Sequence, residues 1–220
     1  MIDLSSYACL LKNKKVGVFG LGLTGLSSVR ALISSGVEVH AWDDRKKQRD
    51  LAQAYNAHIT NLSEILNDSY DFIVLSPGVP FTHPNPHDVV KKARSLGIDL
   101  IGDIELFYRA FPDVKTIGIT GTNGKSTTTA LISHVLNCCG LKSVSVGNIG
   151  NPILDSSVTK DHIMVIEMSS YQLDLCADFR PDVSVLLNIS PDHIDRHGSM
   201  EGYTASKERI LEKSGFGVIG

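Results

Sequence analysis

Short runs of β-forming residues alternate with helical patterns along the whole chain. These runs lie at residues 15–20, 37–42, 71–75 and 98–101, then at 114–119, 143–146, 162–167 and 182–188, and a last run begins near residue 216. Strands that alternate with helices form parallel sheets joined by crossover helices. The sequence therefore predicts an α/β protein.

A change of composition near residue 102 divides the chain. The stretch "IGDIELFYRAFPDVK" predicts a short amphipathic helix that ends at Pro112, after which a new strand leads into a glycine-rich loop. Each half opens with a strand, a glycine turn and a helix, as nucleotide-binding α/β folds do. We expect a Rossmann-like domain at 1–102 and a P-loop ATPase-type α/β domain at 103–220, the second incomplete because its last strand stops after four residues.

Composition limits the partners. Hydrophobic residues make up 42% of the chain, charged residues 20%, and the net charge of −3 comes without the basic block that nucleic acid would require. No apolar run reaches the roughly 18 residues of a membrane span, and the amino terminus lacks a signal-peptide pattern. The cysteines show no metal-binding spacing, which suits a reducing compartment. We expect a cytoplasmic monomer that acts on small molecules.

The first glycine turn, at residues 20–25, has the form G-x-G-x-x-G between a strand and a helix. Backbone N–H groups at such a helix start face a diphosphate. Asp43 and Arg45 follow the next strand, where a dinucleotide fold holds its ribose carboxylate, and Ser76-Pro77-Gly78 ends a further strand at the same sheet edge. Three interpretations stay open: an NAD site, a site for another nucleotide such as a UDP-sugar, and glycines that serve packing alone.

The second glycine loop, "GITGTNGKS" at 118–126, ends as a phosphate-binding loop does but lacks the first glycine of G-x-x-x-x-G-K-[ST]. Gly121 and Gly124 allow backbone amides to curl around phosphate oxygens. Lys125 adds a cation, and the Ser126 hydroxyl can coordinate Mg²⁺. The loop therefore predicts a nucleotide-phosphate site.

Polar residues at later strand ends are candidates for the rest of this site. Glu167 ends a run of four apolar residues, where a carboxylate is costly unless it meets a cation. His193 lies in the polar loop at 192–197, where it could bind a metal or a phosphate, although the local pattern alone favours a surface position. Asn148 follows another strand. The local pattern alone places Lys207 on the solvated face of a helix.

Taken together and in this order, the motifs resemble those of the Mur ligases, ATP-dependent amide-bond-forming enzymes of peptidoglycan synthesis. The matching stretches are "GTNGKS" at 121–126, "GNIG" at 147–150, "EMSSYQL" at 167–173, and "DHIDRH" at 192–197 followed by Lys207. In the first half, "GLGLTGLSSVRAL", "SPGVP" and "GDIELF" look most like the member that adds D-glutamate to UDP-N-acetylmuramoyl-L-alanine. The resemblance implies a UDP-sugar site rather than an NAD site in the first domain.

The resemblance also implies a mechanism and a set of site residues. ATP phosphorylates the substrate carboxylate, and the amine of D-glutamate captures the resulting acyl phosphate. Catalytic roles fall on Lys125, Glu167, His193 and Lys207, and Mg²⁺ contacts fall on Ser126, Glu167, His193 and a carbamylated Lys207. ATP contacts are implied for Gly121, Thr122, Asn123, Gly124, Lys125, Ser126 and Thr127. UDP-substrate contacts are implied for Gly22, Leu23, Thr24, Gly25, Asp43, Arg45, Ser76, Pro77, Gly78 and Asn148.

Members of the family continue into a third domain that carries much of the amino-acid site. We therefore expect the 220 residues to lack this carboxyl-terminal domain and not to complete ligation alone. Two alternatives remain at this point. One is an NAD-dependent oxidoreductase fused to a P-loop module, which would bind NAD and need no Mg²⁺. The other is a non-catalytic nucleotide-binding sensor.

Overall fold

The computed structural model describes residues 1–157, 159 and 161–220, and its strands form two five-stranded sheets. The first sheet has the order β3-β2-β1-β4-β5, and all its pairings are parallel. Its strands are β1 (Lys15–Phe19), β2 (Glu38–Trp42), β3 (His58–Ile59), β4 (Phe72–Leu75) and β5 (Leu100–Ile101). The α/β prediction is confirmed.

The second sheet has the order β10-β9-β6-β8-β7 and is also parallel throughout. Its strands are β6 (Lys115–Thr120), β7 (Ser143–Gly147), β8 (Ile163–Glu167), β9 (Val183–Leu186) and β10 (Phe216–Ile219). Because β6 lies between β8 and β9, the segments that follow these three strands meet at one sheet edge.

Ten α-helices occur in the described residues. In the first half they are α1 (Ser5–Ala8), α2 (Leu23–Ser34), α3 (Lys46–Ala54), α4 (Leu62–Ile65) and α5 (Asp88–Ser95). From residue 103 onward they are α6 (Asp103–Ala110), α7 (Lys125–Cys138), α8 (Ser170–Asp174), α9 (Ile194–His197) and α10 (Met200–Glu212). None of these helices has both the length and the apolar character that crossing a bilayer requires.

The order of the first sheet places two predicted substrate segments side by side. The chain proceeds from β1 outward to β2 and β3, then returns to β4 on the other side of β1, and ligands bind at such a reversal. The turn after β1 and the Ser76 segment after β4 are therefore neighbours. Gly25 lets α2 approach this turn closely, because a Cβ at residue 25 would collide with the Gly20 carbonyl oxygen.

Several contacts join the two halves. Arg30 of α2 donates 2.7 Å hydrogen bonds to both carboxylate oxygens of Asp155. The Ile2 amide donates to the Leu154 carbonyl at 3.0 Å. The Gly102 amide donates a 3.0 Å hydrogen bond to the Leu175 carbonyl oxygen, which follows α8. One hydrophobic cluster includes residues from both sheets, so the halves share a core.

Some predicted boundaries were wrong for local reasons. The predicted strand 182–188 ends at Leu186, because the next two residues turn to contact the glycine loop. The predicted strand 98–101 is only Leu100–Ile101, and the two-residue β3 had no detectable pattern. The helix expected to end at Pro112 ends at Ala110, since a residue that precedes proline is disfavoured in helical geometry.

Candidate active site

The glycine loop lies between β6 and α7, at the amino end of a 14-residue helix. Gly124 has a φ of 83°, a left-handed conformation that suits glycine. Asn188, which follows β9, holds the loop by accepting hydrogen bonds from the Thr122 amide on its carbonyl and from the Asn123 amide on Oδ1, both at 3.0 Å. The loop thus presents the amide groups of the α7 amino terminus to an anion.

Lys125 and the hydroxyl residues that follow it form the start of α7. The Lys125 ammonium donates hydrogen bonds of 2.9 Å to the Gly121 and Thr122 carbonyl oxygens of its own loop. Ser126 and Thr127 are exposed on the first turn. These positions agree with contacts to phosphate by the lysine and the loop amides and to a cation by Ser126.

Glu167 ends β8 directly beside β6, with Ile119 as its register partner. Its side chain is buried, and Oε1 accepts a 2.9 Å hydrogen bond from Asn148 Nδ2. Within the described residues, Oε2 is buried without a hydrogen-bond partner. A carboxylate oxygen in this state is costly unless a cation compensates it, so Glu167 fits a role as a metal ligand.

Lys207 is buried in α10, with 2% of its surface exposed. Its ammonium donates to the Gly121 carbonyl at 2.8 Å and lies 4.8 Å from the centre of the Tyr203 ring. Burial, and next the charge of Lys125, lower the pKa of Lys207 to about 8, while Asp192 opposes this shift. The solvated-face position indicated by the local pattern was wrong, because this face of α10 packs against the second sheet.

His193 starts α9 in a left-handed backbone conformation, with a φ of 50°. A non-glycine residue in that region carries strain, which is common at functional sites. Its imidazole is half-exposed, lies 3.5 Å from Asp192 Oδ2 and is 5.1 Å from the Tyr171 ring centre. The His193 side chain therefore faces solvent at the edge of a cavity that Lys125 and Lys207 also line.

Two adjacent cavities bring many of the predicted residues together. A cavity of about 300 Å³ is lined by Pro77, Gly78, Lys125, Asn148, Ser169, Ser170, Tyr171, Asp192, His193, Tyr203 and Lys207. A second, of about 270 Å³, is lined by Leu23, Thr24, Pro77, Gly147, Asn148, Gly150, Pro152 and Gln172. Since Pro77 and Asn148 border both, the cavities form one cleft between the two sheets. We call it the interdomain cleft.

Asp43 and Arg45, which the resemblance assigned to the UDP-substrate, do not line the interdomain cleft. The Asp43 carboxylate accepts a 2.7 Å hydrogen bond from the Leu21 amide and pairs with Arg45, whose Nε lies 3.0 Å from Oδ1. Burial raises the pKa of Asp43, but its hydrogen bonds from Arg45 and Leu21 outweigh burial and lower it. The role that these contacts give to Asp43 is support of the first glycine turn, through the Leu21 amide.

Other residues predicted to belong to the site lie next to residues that line the cleft. Gly22 precedes α2, Gly25 lies within its first turns, and Ser76 directly precedes Pro77. Glu167 reaches the cleft through Asn148, a contact that the sequence did not predict. Tyr171 and Tyr203, which line the cleft, were not singled out, although Tyr171 lies within the "EMSSYQL" stretch.

The metal-binding prediction can be compared with the donor set. In the described ranges, no group of three or more His, Cys, Asp or Glu side chains converges to hold a metal ion. The four predicted Mg²⁺ ligands include only two side chains of these types, Glu167 and His193. The other two are Ser126 and Lys207. A cation here would need further oxygen ligands, such as those of a phosphate or a lysine carbamate.

Two parallel α/β domains, with a phosphate-binding-type loop facing a Rossmann-like glycine turn across a cleft, define the class of protein. Two family profiles match: "Mur ligase MurD-like, N-terminal domain" over residues 14–102 and "Mur ligase middle domain" over residues 119–219. The chain belongs to the Mur ligase family.

Curated relatives agree with this assignment. The chain is 48% identical over 213 residues to the UDP-N-acetylmuramoylalanine--D-glutamate ligase of Caulobacter sp. (strain K31), covering 94% of this chain and 45% of that protein. It is 46% identical over 215 residues to the enzyme of the same name from Brucella abortus (strain 2308), covering 96% and 46%. The chain thus spans less than half the length of these relatives.

A solved structure shows the same fold. The UDP-N-acetylmuramate:L-alanyl-gamma-D-glutamyl-meso-diaminopimelate ligase from Neisseria meningitides aligns with a TM-score of 0.56 at 19% identity. The alignment covers 94% of this chain and 71% of that one. At this identity the likeness concerns the fold alone.

Proposed function

We propose that this chain supplies the UDP-substrate site and part of the ATP site of a ligase that adds D-glutamate to UDP-N-acetylmuramoyl-L-alanine. The observation that carries the proposal is the lining of the interdomain cleft. Pro77 and Gly78 of the first domain border the same cavity as Lys125, His193 and Lys207 of the second. A substrate held by the first domain would therefore end beside the phosphate-binding loop. The names of the curated relatives support the choice of substrates.

ATP binds at the loop of residues 121–127 in this proposal. The α7 amides and the Lys125 ammonium hold its phosphate oxygens, since both lie at the amino end of one helix. Mg²⁺ supplies neutralisation of the phosphate charge when it is bound. Glu167 and Ser126 would hold one Mg²⁺, while His193 and a carbamate formed on Lys207 would hold a second.

The reaction is transfer of the γ-phosphoryl group of ATP to the substrate carboxylate, which releases ADP. The D-glutamate amine then attacks the acyl phosphate, which forms the amide bond and releases inorganic phosphate and a proton. Little covalent chemistry falls on the chain itself, so its residues act by positioning and charge neutralisation. Lys125 borders the cleft and would face the negative charge that accumulates on the transferred phosphoryl group. The amino-acid site lies in the part of the relatives that this chain does not cover.

The UDP-substrate binds along the first domain. Gly22–Gly25 at the start of α2 and Ser76–Gly78 after β4 hold the nucleotide, and Asp43 and Arg45 fix the turn. Asn148 of the second domain contacts the substrate across the cleft, where it borders the same cavity as Leu23 and Pro77. We divide the chain into 1–102 and 103–220, and we place the reaction in the cytoplasm, carried out by a monomer.

Isothermal titration calorimetry of the 220-residue chain tests the proposal. The chain should bind UDP-N-acetylmuramoyl-L-alanine and show no heat with NAD. Uridine diphosphate alone should bind more weakly, because it does not extend along the cleft. Binding of NAD without binding of the uridine nucleotide would favour the oxidoreductase alternative and refute the ligase assignment.

A further inference from the structure

His197 ends α9 and is buried, with 3% of its side chain exposed. Its Nε2 lies 2.9 Å from Ser170 Oγ, and its Nδ1 lies 3.6 Å from Asp174 Oδ2. Both ring nitrogens therefore face polar atoms of α8. His197 could bind a metal only by giving up one of these contacts.

Asp174 connects this histidine to α10. Ser206 Oγ lies 2.8 Å from Asp174 Oδ1 and 2.9 Å from the Ser170 carbonyl oxygen. We call Ser170, Asp174, His197 and Ser206 the polar cluster. It joins the three helices α8, α9 and α10, and Ser206 directly precedes Lys207 in α10.

His193 has few contacts of its own that could fix its orientation. Its imidazole is half-exposed, and its backbone is strained at the start of a helix of one turn that His197 ends. The Tyr171 ring lies against both histidines. It stacks on His197 at 5.3 Å with an angle of 5° between the rings, and its centre is 5.1 Å from that of His193.

We propose that His197 is a positioning residue, which fixes the orientation of His193 through Tyr171 and the turn of α9, and fixes α10 beside Lys207 through Asp174 and Ser206. Ligating side chains in metal sites are commonly held by such hydrogen-bonded neighbours, whose loss weakens metal binding. The metal-binding roles of His193 and Lys207 rest on the function proposed above. The contacts of His197 do not depend on it.

The experiment compares His197→Gln with the unchanged 220-residue chain by two measurements. The first is the nuclear Overhauser effect between the Tyr171 and His193 ring protons, which needs no ligand. The second is the affinity for Mn²⁺ in the presence of a non-hydrolysable ATP analogue, measured by electron paramagnetic resonance. We expect loss of the Overhauser effect and a decrease in Mn²⁺ affinity of about tenfold or more. Affinity for the metal-free analogue should change less than about twofold, because among the described residues the His197 side chain bonds to Ser170 and Asp174 and not to the loop at 121–127.

His134→Gln is the matched control, since His134 is an exposed histidine of α7 that contacts Cys138. It should change neither measurement. If His197→Gln does not fold, Ser206→Ala removes one hydroxyl of the polar cluster and should shift both measurements in the same direction. A lower melting temperature with an unchanged Overhauser effect and unchanged Mn²⁺ affinity would make His197 merely structural. If the unchanged chain binds no Mn²⁺ with the analogue, the proposed function fails, while the Overhauser effect still decides the role of His197.

Discussion

Lys125 and Lys207 direct their ammonium groups at the same acceptor, the Gly121 carbonyl oxygen, at 2.9 and 2.8 Å. One lysine comes from the phosphate-binding loop and the other from α10, 82 positions later in the chain. Two cations that share one acceptor repel each other, and Lys207 is the one removed from solvent. The neutral amine that carbamylation requires is therefore more abundant at Lys207 than at an ordinary lysine.

Carbamylation of Lys207 should depend on pH. Burial and Lys125 lower its pKa to about 8, so roughly a tenth of these amines are neutral at pH 7, and the fraction rises as the pH passes through 8. With ¹³C-bicarbonate, a carbamate signal should grow over this range and be absent in Lys207→Arg. Lys125→Ala raises the pKa of Lys207 and should move the onset to higher pH. A signal that persists in Lys207→Arg, or no signal at all, contradicts the prediction.

Lys125→Ala should weaken the binding of Mg²⁺·ATP roughly tenfold or more, because a cation facing phosphate oxygens is lost. Binding of UDP-N-acetylmuramoyl-L-alanine should change less than about twofold, since most of that site lies in the first domain. In a protein of the relatives' full length, ligation should slow about 100-fold or more. Calorimetry and a ligation assay measure these changes. Lys142→Ala, at an exposed lysine, is the control, and an equal loss of ATP affinity there would remove the special role of Lys125.

Asp43→Asn should loosen the first glycine turn. The carboxylate accepts the Leu21 amide and pairs with Arg45, and the variant weakens both contacts at a buried position. We expect a loss of about 1–3 kcal/mol in unfolding free energy and weaker binding of the UDP-substrate. Because the pKa of Asp43 is lowered in the folded chain, its stabilisation is present at neutral pH and is lost as the pH falls below about 4. Urea unfolding at pH 7 and at a series of pH values below 3.8 measures this, with the exposed neighbour Asp44→Asn as control.

Asp103→Asn should stabilise the chain at neutral pH. Within the described ranges, both carboxylate oxygens of Asp103 are buried and lack a hydrogen bond of normal geometry. Burial raises the pKa of Asp103 to about 6 from an ordinary value of 3.8, although the nearby backbone amides of Asp103 and Ile104 oppose this shift. A raised pKa means that the folded chain holds a proton that the unfolded chain has lost, so stability falls as the pH rises from about 4 to 6. The cost at neutral pH is roughly 3 kcal/mol at most.

Asparagine is uncharged, like the protonated Asp103 side chain. The Asp103→Asn variant therefore does not lose stability as the pH rises. Its melting temperature should exceed that of the unchanged chain at pH 7.5 and approach it at pH 4. The exposed Asp113→Asn serves as the comparison and should behave alike at both pH values. An Asp103→Asn chain that is less stable at pH 7.5 would show that the carboxylate forms a favourable interaction when charged.

Much of the fold follows from local patterns in the sequence. Apolar strands followed by glycine turns predict parallel sheets, and the loop at 121–126 is recognisable from its residues alone. The two-residue β3 was missed, because His58–Ile59 at a sheet edge leaves no periodic pattern. Residues 187 and 188 were assigned to a strand because nothing local shows that Asn188 turns to hold the glycine loop.

Less of the candidate site could be predicted from local sequence patterns, because it depends on contacts between distant segments. The local helical pattern predicts that Lys207 is exposed. It is buried because α10 packs on the second sheet. The hydrogen bond from Asn148 to Glu167 joins the ends of two adjacent strands, which no spacing along the chain reveals. The resemblance to a family assigned these residues to a site, and the structure gives the contacts that explain their placement.

The position of the first residues affects how the chain can be made. Ile2 and Leu4 are buried, and the Ile2 amide bonds to Leu154, a residue that a ribosome adds some 150 steps later. At synthesis rates of about 5–20 residues per second, Leu154 is added roughly 8 to 30 seconds after Ile2, when the first sheet can already have formed. The Leu4 amide, by contrast, bonds to Ser35 Oγ of the first half. The Ile2 contact therefore forms after the other contacts of this segment, and the first two residues stay open to chaperones and proteases during that interval.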